Sequence, residues 1–301
     1  MNHSKIIELE VYLYENKVGT LLLDSNGRIY FFYSPDFKDK GIQISPIKLD
    51  TNKIDHLYTN VDDKIYEGMP AIFFDSLPDK YGMGFIDRHF ESQGFKTHEI
   101  TLLHRLSFIG DRGMGAIEYR PKEEEISIDG LGNTMVVKEM YENVKNILMN
   151  KTEAYSIEAL MDIIPQASPL GGARPKLLIT YNKETREVMA NSKILHSGFT
   201  RHIIKFDEVY YENESIELTK FEYLYMEMAK ECSINIPKIV LYADAGLHHL
   251  IIERFDRNKY DHKKHIASAS ALLHKDISIP LAVSYEELFT LTNIICNKQK
   301  K

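Results

Sequence analysis

The sequence predicts an α+β fold, and three observations carry that expectation. The first 33 residues alternate with a period of two around a strong hairpin signal. Residues 100–109 and 218–233 place apolar side chains at helical spacing. Short strand-like runs gather again at 177–191, 201–206 and 239–253, so strands are grouped rather than strictly alternating with helices.

Taken in order, Ile6, Ile7, Leu9, Val11 and Leu13 read as a first strand, and Asn16-Lys17 as a turn. Residues 18–23 form a second strand, and Asp24-Ser25-Asn26-Gly27 a hairpin turn. The aromatic-rich run 28–33 is a third strand, and residues 42–49 are a candidate for one more. Residues 71–79 are a compact apolar segment, 85–90 continue helically, and 100–109 form a helix on Leu102, Leu103, Leu106 and Ile109. Gly110-Asp111-Arg112-Gly113-Met114-Gly115 reads as a structural turn before the strand 116–119. The polar, turn-rich run 121–135 is the internal linker candidate, and 136–150 and 156–164 carry helical periodicity. In the helix 218–233 the expected buried stripe is Leu218, Phe221, Leu224, Tyr225, Met228 and Ala229. Two strands, 239–243 and 249–253, follow.

Composition bounds the function. The chain has 301 residues, 44% hydrophobic and 27% charged, as in ordinary globular proteins. A net charge of −7 argues against a broad nucleic-acid footprint, so no direct nucleic-acid partner is expected. Cys232 and Cys296 make neither a disulfide framework nor a metal set, and no metal-ligating residue is predicted. No apolar run reaches about 18 residues and no signal-peptide pattern opens the chain, which gives no membrane association and a cytoplasmic location as the expectation.

The stretch Ser168-Pro169-Leu170-Gly171-Gly172-Ala173-Arg174-Pro175-Lys176 stands between a helix-like and a strand-like segment. Gly-Gly here reads as a plain tight turn or as a phosphate cradle. In the second case successive amides make an anion-binding concavity, and Arg174 or Lys176 adds charge. Lys205 ends the strand Arg201-His202-Ile203-Ile204-Lys205, where it is either a solvated lysine or an ammonium placed to meet phosphate oxygens. Glu222 on the following helix is either an exposed glutamate or the partner of Lys205.

From 168 to 257 the order is glycine-rich loop, strand pair, strand with lysine, helix with glutamate, two strands and a polar exit, which resembles a protein-kinase small lobe. Five ordered pieces extend the resemblance over nearly the whole chain. They are Phe74-Asp75-Ser76-Leu77-Pro78-Asp79, Leu106-Ser107-Phe108-Ile109-Gly110-Asp111-Arg112-Gly113-Met114-Gly115-Ala116, Gly171-Gly172-Ala173-Arg174-Pro175-Lys176, His202-Ile203-Ile204-Lys205 and Glu253-Arg254-Phe255-Asp256-Arg257. With them the chain resembles the HipA family of bacterial serine/threonine kinases, the toxins of HipBA toxin–antitoxin pairs.

The resemblance implies an N-terminal subdomain of β meander and helices at 1–120, a linker at 121–135, and a kinase-like small lobe with the start of the large lobe at 136–290. It implies ATP and magnesium as cofactors, with weak or absent binding by this chain alone. Gly171, Gly172, Ala173, Arg174, Lys176, Lys205 and Glu222 would lie on the phosphate side, and Glu253, Arg254 and Phe255 would receive adenine. Ser168 is the serine nearest the family's autophosphorylation position. A helix-turn-helix antitoxin of HipB type is the implied partner. A complete member continues well beyond residue 288 with an aspartate base, a metal-binding asparagine and a metal-binding aspartate. No segment here matches those motifs, and 291–301 read as a truncated tail. No catalytic residue is therefore predicted. The expectation is a kinase fold inactive alone, or a non-catalytic module that binds an antitoxin or a separate chain supplying the catalytic lobe.

Overall fold

The computed structural model describes residues 6–54, 57–60, 65–78, 80–121, 137–148, 176–191, 194–207, 217–244, 246–276 and 279–298. The linker expected at 121–135 (beyond Pro121), the helix expected over 156–164 and the glycine-rich stretch up to Pro175 lie outside them. In chain order the elements are β1 (Glu8–Leu13), β2 (Asn16–Leu23), β3 (Ile29–Tyr33), α1 (Pro35–Asp39), β4 (Leu57–Tyr58), α2 (Ala71–Phe74), α3 (Lys80–Ser92), α4 (Leu102–Ile109) and β5 (Ile117–Pro121). They continue with α5 (Val137–Leu148), β6 (Lys176–Tyr181), β7 (Val188–Ala190), β8 (Thr200–Lys205), α6 (Leu218–Glu231), β9 (Ile239–Asp244), β10 (Leu247–Glu253), α7 (Ala269–Leu273) and α8 (Tyr285–Lys298). The fold is α+β, with two five-stranded antiparallel sheets.

The chain divides into two compact units that interleave along the sequence. One comprises Met1–Leu77, Thr101–Ile126 and His265–Lys301, the other Pro78–Ile100 and Ser127–Lys264. The first holds the sheet β4-β3-β2-β1-β5. Its strands bury every second side chain, Leu9, Val11 and Leu13 on β1 and Ile29, Phe31 and Tyr33 on β3, as the period-two pattern requires. The β1–β2 turn falls on Tyr14 (φ 49) and Glu15 (φ 62), not on Asn16-Lys17. Asn16 already pairs with Leu13, and its side-chain amide donates to the carbonyls of Leu13 (3.3 Å) and Tyr14 (2.9 Å), closing the two-residue turn.

The Asp24–Gly27 turn forms as expected. Asp24 Oδ1 accepts from the amides of Asn26 and Arg28, both at 2.8 Å, and Gly27 takes φ 80. At Gly19 a Cβ would meet the Phe32 carbonyl at 2.1 Å and the Phe31 ring at 2.7 Å, so only glycine lets β2 pass under the aromatic strand.

The strand considered at 42–49 is not one. Ser45 and Leu49 make a single bridge around Pro46, which has no amide hydrogen for a ladder, and the added strand is β4. Helix α4 packs on β5 and β1 through Leu102, Leu103, Leu106 and Ile109, capped by Thr101. Tyr119 is fully buried and its hydroxyl reaches Ser76 Oγ at 2.7 Å. The returning segment joins this unit at several points. The Ser268 amide donates to Asp75 Oδ2 (2.7 Å), and the Tyr66 hydroxyl donates to the Lys275 carbonyl (3.2 Å).

The second unit holds the sheet β7-β6-β8-β10-β9. Register places Lys205 opposite both Lys176 on β6 and Leu250 on β10. Helix α6 runs along β10 and β9. Tyr141 of α5 packs its ring on Phe206 and His249. Alternation puts Phe206 and His249 on the face opposite Lys205 and Leu250, so α5 and α6 cover opposite faces.

The expected buried stripe of α6 is turned outward. Phe221, Leu224, Tyr225 and Met228 are each more than half exposed, and the fully buried residue of the helix is Thr219. Periodicity identifies a helix and an apolar face. It does not tell whether the chain itself covers that face.

Candidate functional site

The site is built on the ends of β6 and β8. Residues directly opposite in an antiparallel pair project to the same face, so Lys176 and Lys205 stand side by side on one face of the sheet. Both are largely withdrawn from water. Helix α6 brings Glu222 to that face, and its carboxylate forms an ion pair with the Lys205 ammonium.

β10 runs from beside Lys205 to Glu253, whose carboxylate pairs with Lys238 at 3.1 Å. Beyond it the chain is locked by buried charge. Arg254 Nε and Nη2 donate to the two oxygens of Asp256 at 2.9 and 2.7 Å, with both side chains at 0% exposure. The Arg254 amide donates to the Arg201 carbonyl (3.0 Å), extending the ladder past the strand end. The Arg201 guanidinium is in turn held by Asp261 (2.7 and 2.8 Å) and Asn191 (2.8 Å). Arg257 lies beside Asp256 at 3.6 Å, and burial pulls its guanidinium down to about 10. Between these anchors Phe255 turns its ring out, 53% exposed.

Two histidines in the unit are held neutral by burial. His249 falls to about 4, and its Nδ1 accepts the Asp207 amide at 3.1 Å. His202 is lowered in the same direction, its Nδ1 lying 2.9 Å from the Thr200 carbonyl.

Two family models match the chain. That of the HipA N-terminal domain covers residues 9–120, and that of the HipA-like C-terminal domain covers residues 168–301. The chain belongs to the HipA family. No curated protein matches it. Among solved structures it is similar to HipA of the Shewanella oneidensis MR-1 toxin antitoxin system, in a complex of HipA, HipB and its operator DNA. That similarity is 21% in identity with a TM-score of 0.57, over 94% of this chain and 63% of the Shewanella chain. This HipA-family chain therefore spans less than two thirds of that relative, and the likeness is one of fold.

Of the residues the sequence singled out, Lys176, Lys205 and Glu222 are brought together on one sheet face. Glu253, Arg254 and Phe255 follow one another out of β10, the first two engaged in ion pairs and the third open to solvent. Ser168, Gly171, Gly172, Ala173 and Arg174 lie outside the described residues. Sequence reasoning missed the supports: Arg201, Asp207, Asp256 and Asp261, and Thr219 at the start of α6. The available signal was a charge at a strand position that alternation marks as inward, as with Arg201. Among the described residues no group of three or more His, Cys, Asp or Glu could hold a metal ion, and no helix is long and apolar enough to cross a membrane.

Proposed function

We propose that the second unit is the nucleotide-binding lobe of a HipA-type serine/threonine kinase that acts as the toxin of a toxin–antitoxin pair. The observation that carries this is the pair Lys176 and Lys205, opposite each other on one face, with Glu222 held on Lys205 by a helix. A strand lysine paired with a helix glutamate is the arrangement with which protein kinases hold ATP phosphates.

In this reading Lys205 and Lys176 take the phosphates, and Gly171, Gly172, Ala173 and Arg174 supply the cover over them. Adenine packs at Glu253, Arg254 and Phe255, where an exposed ring stands on a backbone fixed by the Arg254–Asp256 pair. Ser168 is the candidate for autophosphorylation. The donor set suits the phosphates better than a metal, so magnesium is assigned to no described residue and would arrive with ATP. Phosphoryl transfer also needs an aspartate base and metal-binding asparagine and aspartate. No segment of these 301 residues matches them, so no residue here receives a catalytic role. The partner in this reading is a HipB-type antitoxin, through which any link to DNA would run.

A second reading is favoured by one observation, the outward stripe of Phe221, Leu224, Tyr225 and Met228 on α6. It makes the chain a non-catalytic module that binds an antitoxin or a separate catalytic subunit. Equilibrium binding of ATP, ADP and AMP separates the two. If the lysines read phosphate, affinity falls from ATP to AMP by about tenfold or more, one lost charged contact being worth roughly 1.5–3 kcal/mol. Equal affinities for the three would favour the module.

A further inference from the structure

Helix α6 meets its sheet in an unusual way. Its first residues lack a side-chain cap, Glu217 making none. Its apolar stripe faces solvent, and its fully buried residue is Thr219, in the first turn. The Thr219 hydroxyl donates to the carbonyl of His248 on β10. That carbonyl lies past the end of β8, whose last residue, Lys205, pairs with Leu250. On its β8 side His248 meets side chains instead of a strand, while Ala243 of β9 stays opposite it on the other. The His248 amide donates to Asp207 Oδ2 (3.4 Å) and its carbonyl accepts from Thr219. Asp207 is fixed in turn by its own amide, which donates to His249 Nδ1 (3.1 Å).

One turn further along α6, three residues from Thr219 and on the same side of the helix, stands Glu222. We infer that Thr219 is a positioning residue: its hydroxyl, seated on the His248 carbonyl, sets the depth of α6 against β10 and so presents Glu222 to Lys205. The consequence for nucleotide rests on the proposed kinase-lobe reading; the seating of the ion pair does not. α6 also packs along β10 and β9, and the Thr219 hydroxyl is the fully buried polar contact at its start.

The test compares Thr219→Val, which keeps the β-branched shape and removes the donor, with Thr219→Ser, which keeps the donor. The readout is the rate at which an amine-reactive reagent labels Lys205, followed by peptide mass spectrometry, in the full chain below its melting temperature. Thr219→Val is expected to label Lys205 about fivefold faster, the loss of one buried hydrogen bond, and Thr219→Ser to restore the wild-type rate. Wild-type labelling in Thr219→Val, or equal acceleration in both variants, would overturn the inference. Should Thr219→Val not fold, Thr219→Ala, which also removes the donor, is the second variant, and a wild-type rate there would equally overturn the inference. Faster labelling in a chain that binds no ATP would support the positioning role and refute the nucleotide reading.

Discussion

The two sheets have the same number of strands and the same antiparallel pairing, and they use their interiors in opposite ways. The sheet β4-β3-β2-β1-β5 is filled with hydrocarbon and aromatic rings. Phe31 sits at 4.9 Å from Tyr33 and 4.7 Å from Phe73, and the polar groups buried on the sheet's strands are single hydroxyls such as those of Tyr33 and Tyr119, while Asp50 and His104 are buried around the sheet. The sheet β7-β6-β8-β10-β9 buries Lys176, Arg201, His202 and His249, with Arg254, Asp256 and Asp207 at its exits. Burying charge adds nothing that hydrocarbon could not supply to stability alone. A sheet that does so repeatedly, at consecutive strand ends, is organised around more than its own stability.

The sharpest break of the contrast is at Arg254. Arg254→Ala leaves Asp256 buried without its bidentate partner and is expected to lower stability by about 3–5 kcal/mol in urea denaturation, whereas Arg254→Met with Asp256→Leu recovers most of it. Phe31→Ala in the first sheet is expected to lower stability by a similar ~3–5 kcal/mol for a different reason, a cavity, with no double replacement of opposite charges to rescue it.

Acid sharpens the contrast further. His249 is held well below its ordinary pKa, so the folded state favours the neutral ring. The stabilisation is fully present above about pH 6.5 and is lost as pH falls toward about 4, where the unfolded chain takes up a proton first. The shift corresponds to about 3 kcal/mol, and His249→Phe is expected to flatten this stretch of a stability–pH curve. A curve unchanged by that substitution would remove the buried-histidine account. The smallest effect is expected on the outside of α6. Tyr225→Ser and Met228→Ser should each change stability by no more than about 0.5 kcal/mol, since both side chains are already in water.

The first sheet was legible because its alternation and its Asp24–Gly27 turn are local signals. The β1–β2 turn was misplaced because Tyr14 and Glu15 are not residues that usually adopt positive φ, and Asn16, which looks like a turn residue, closes the turn from its flank. In the second unit, strand ends and helix spacing were enough to raise the Lys205–Glu222 pair. They were not enough to reveal that Lys176 faces Lys205, which depends on pairing register. Arg201 with Asp261 and Arg254 with Asp256 could not be read as buried pairs, because a charged residue near a strand end is usually solvated. The α6 stripe was assigned to the interior because periodicity gives a face and not a partner.

The most direct test of the central claim is ATP binding by the full chain with Lys205 and Lys176 replaced in turn. Isothermal titration with magnesium and ATP is expected to show Lys205→Met and Lys176→Met each weakening affinity about tenfold or more. Undiminished ATP affinity in both variants would contradict the claim that the two lysines receive phosphate.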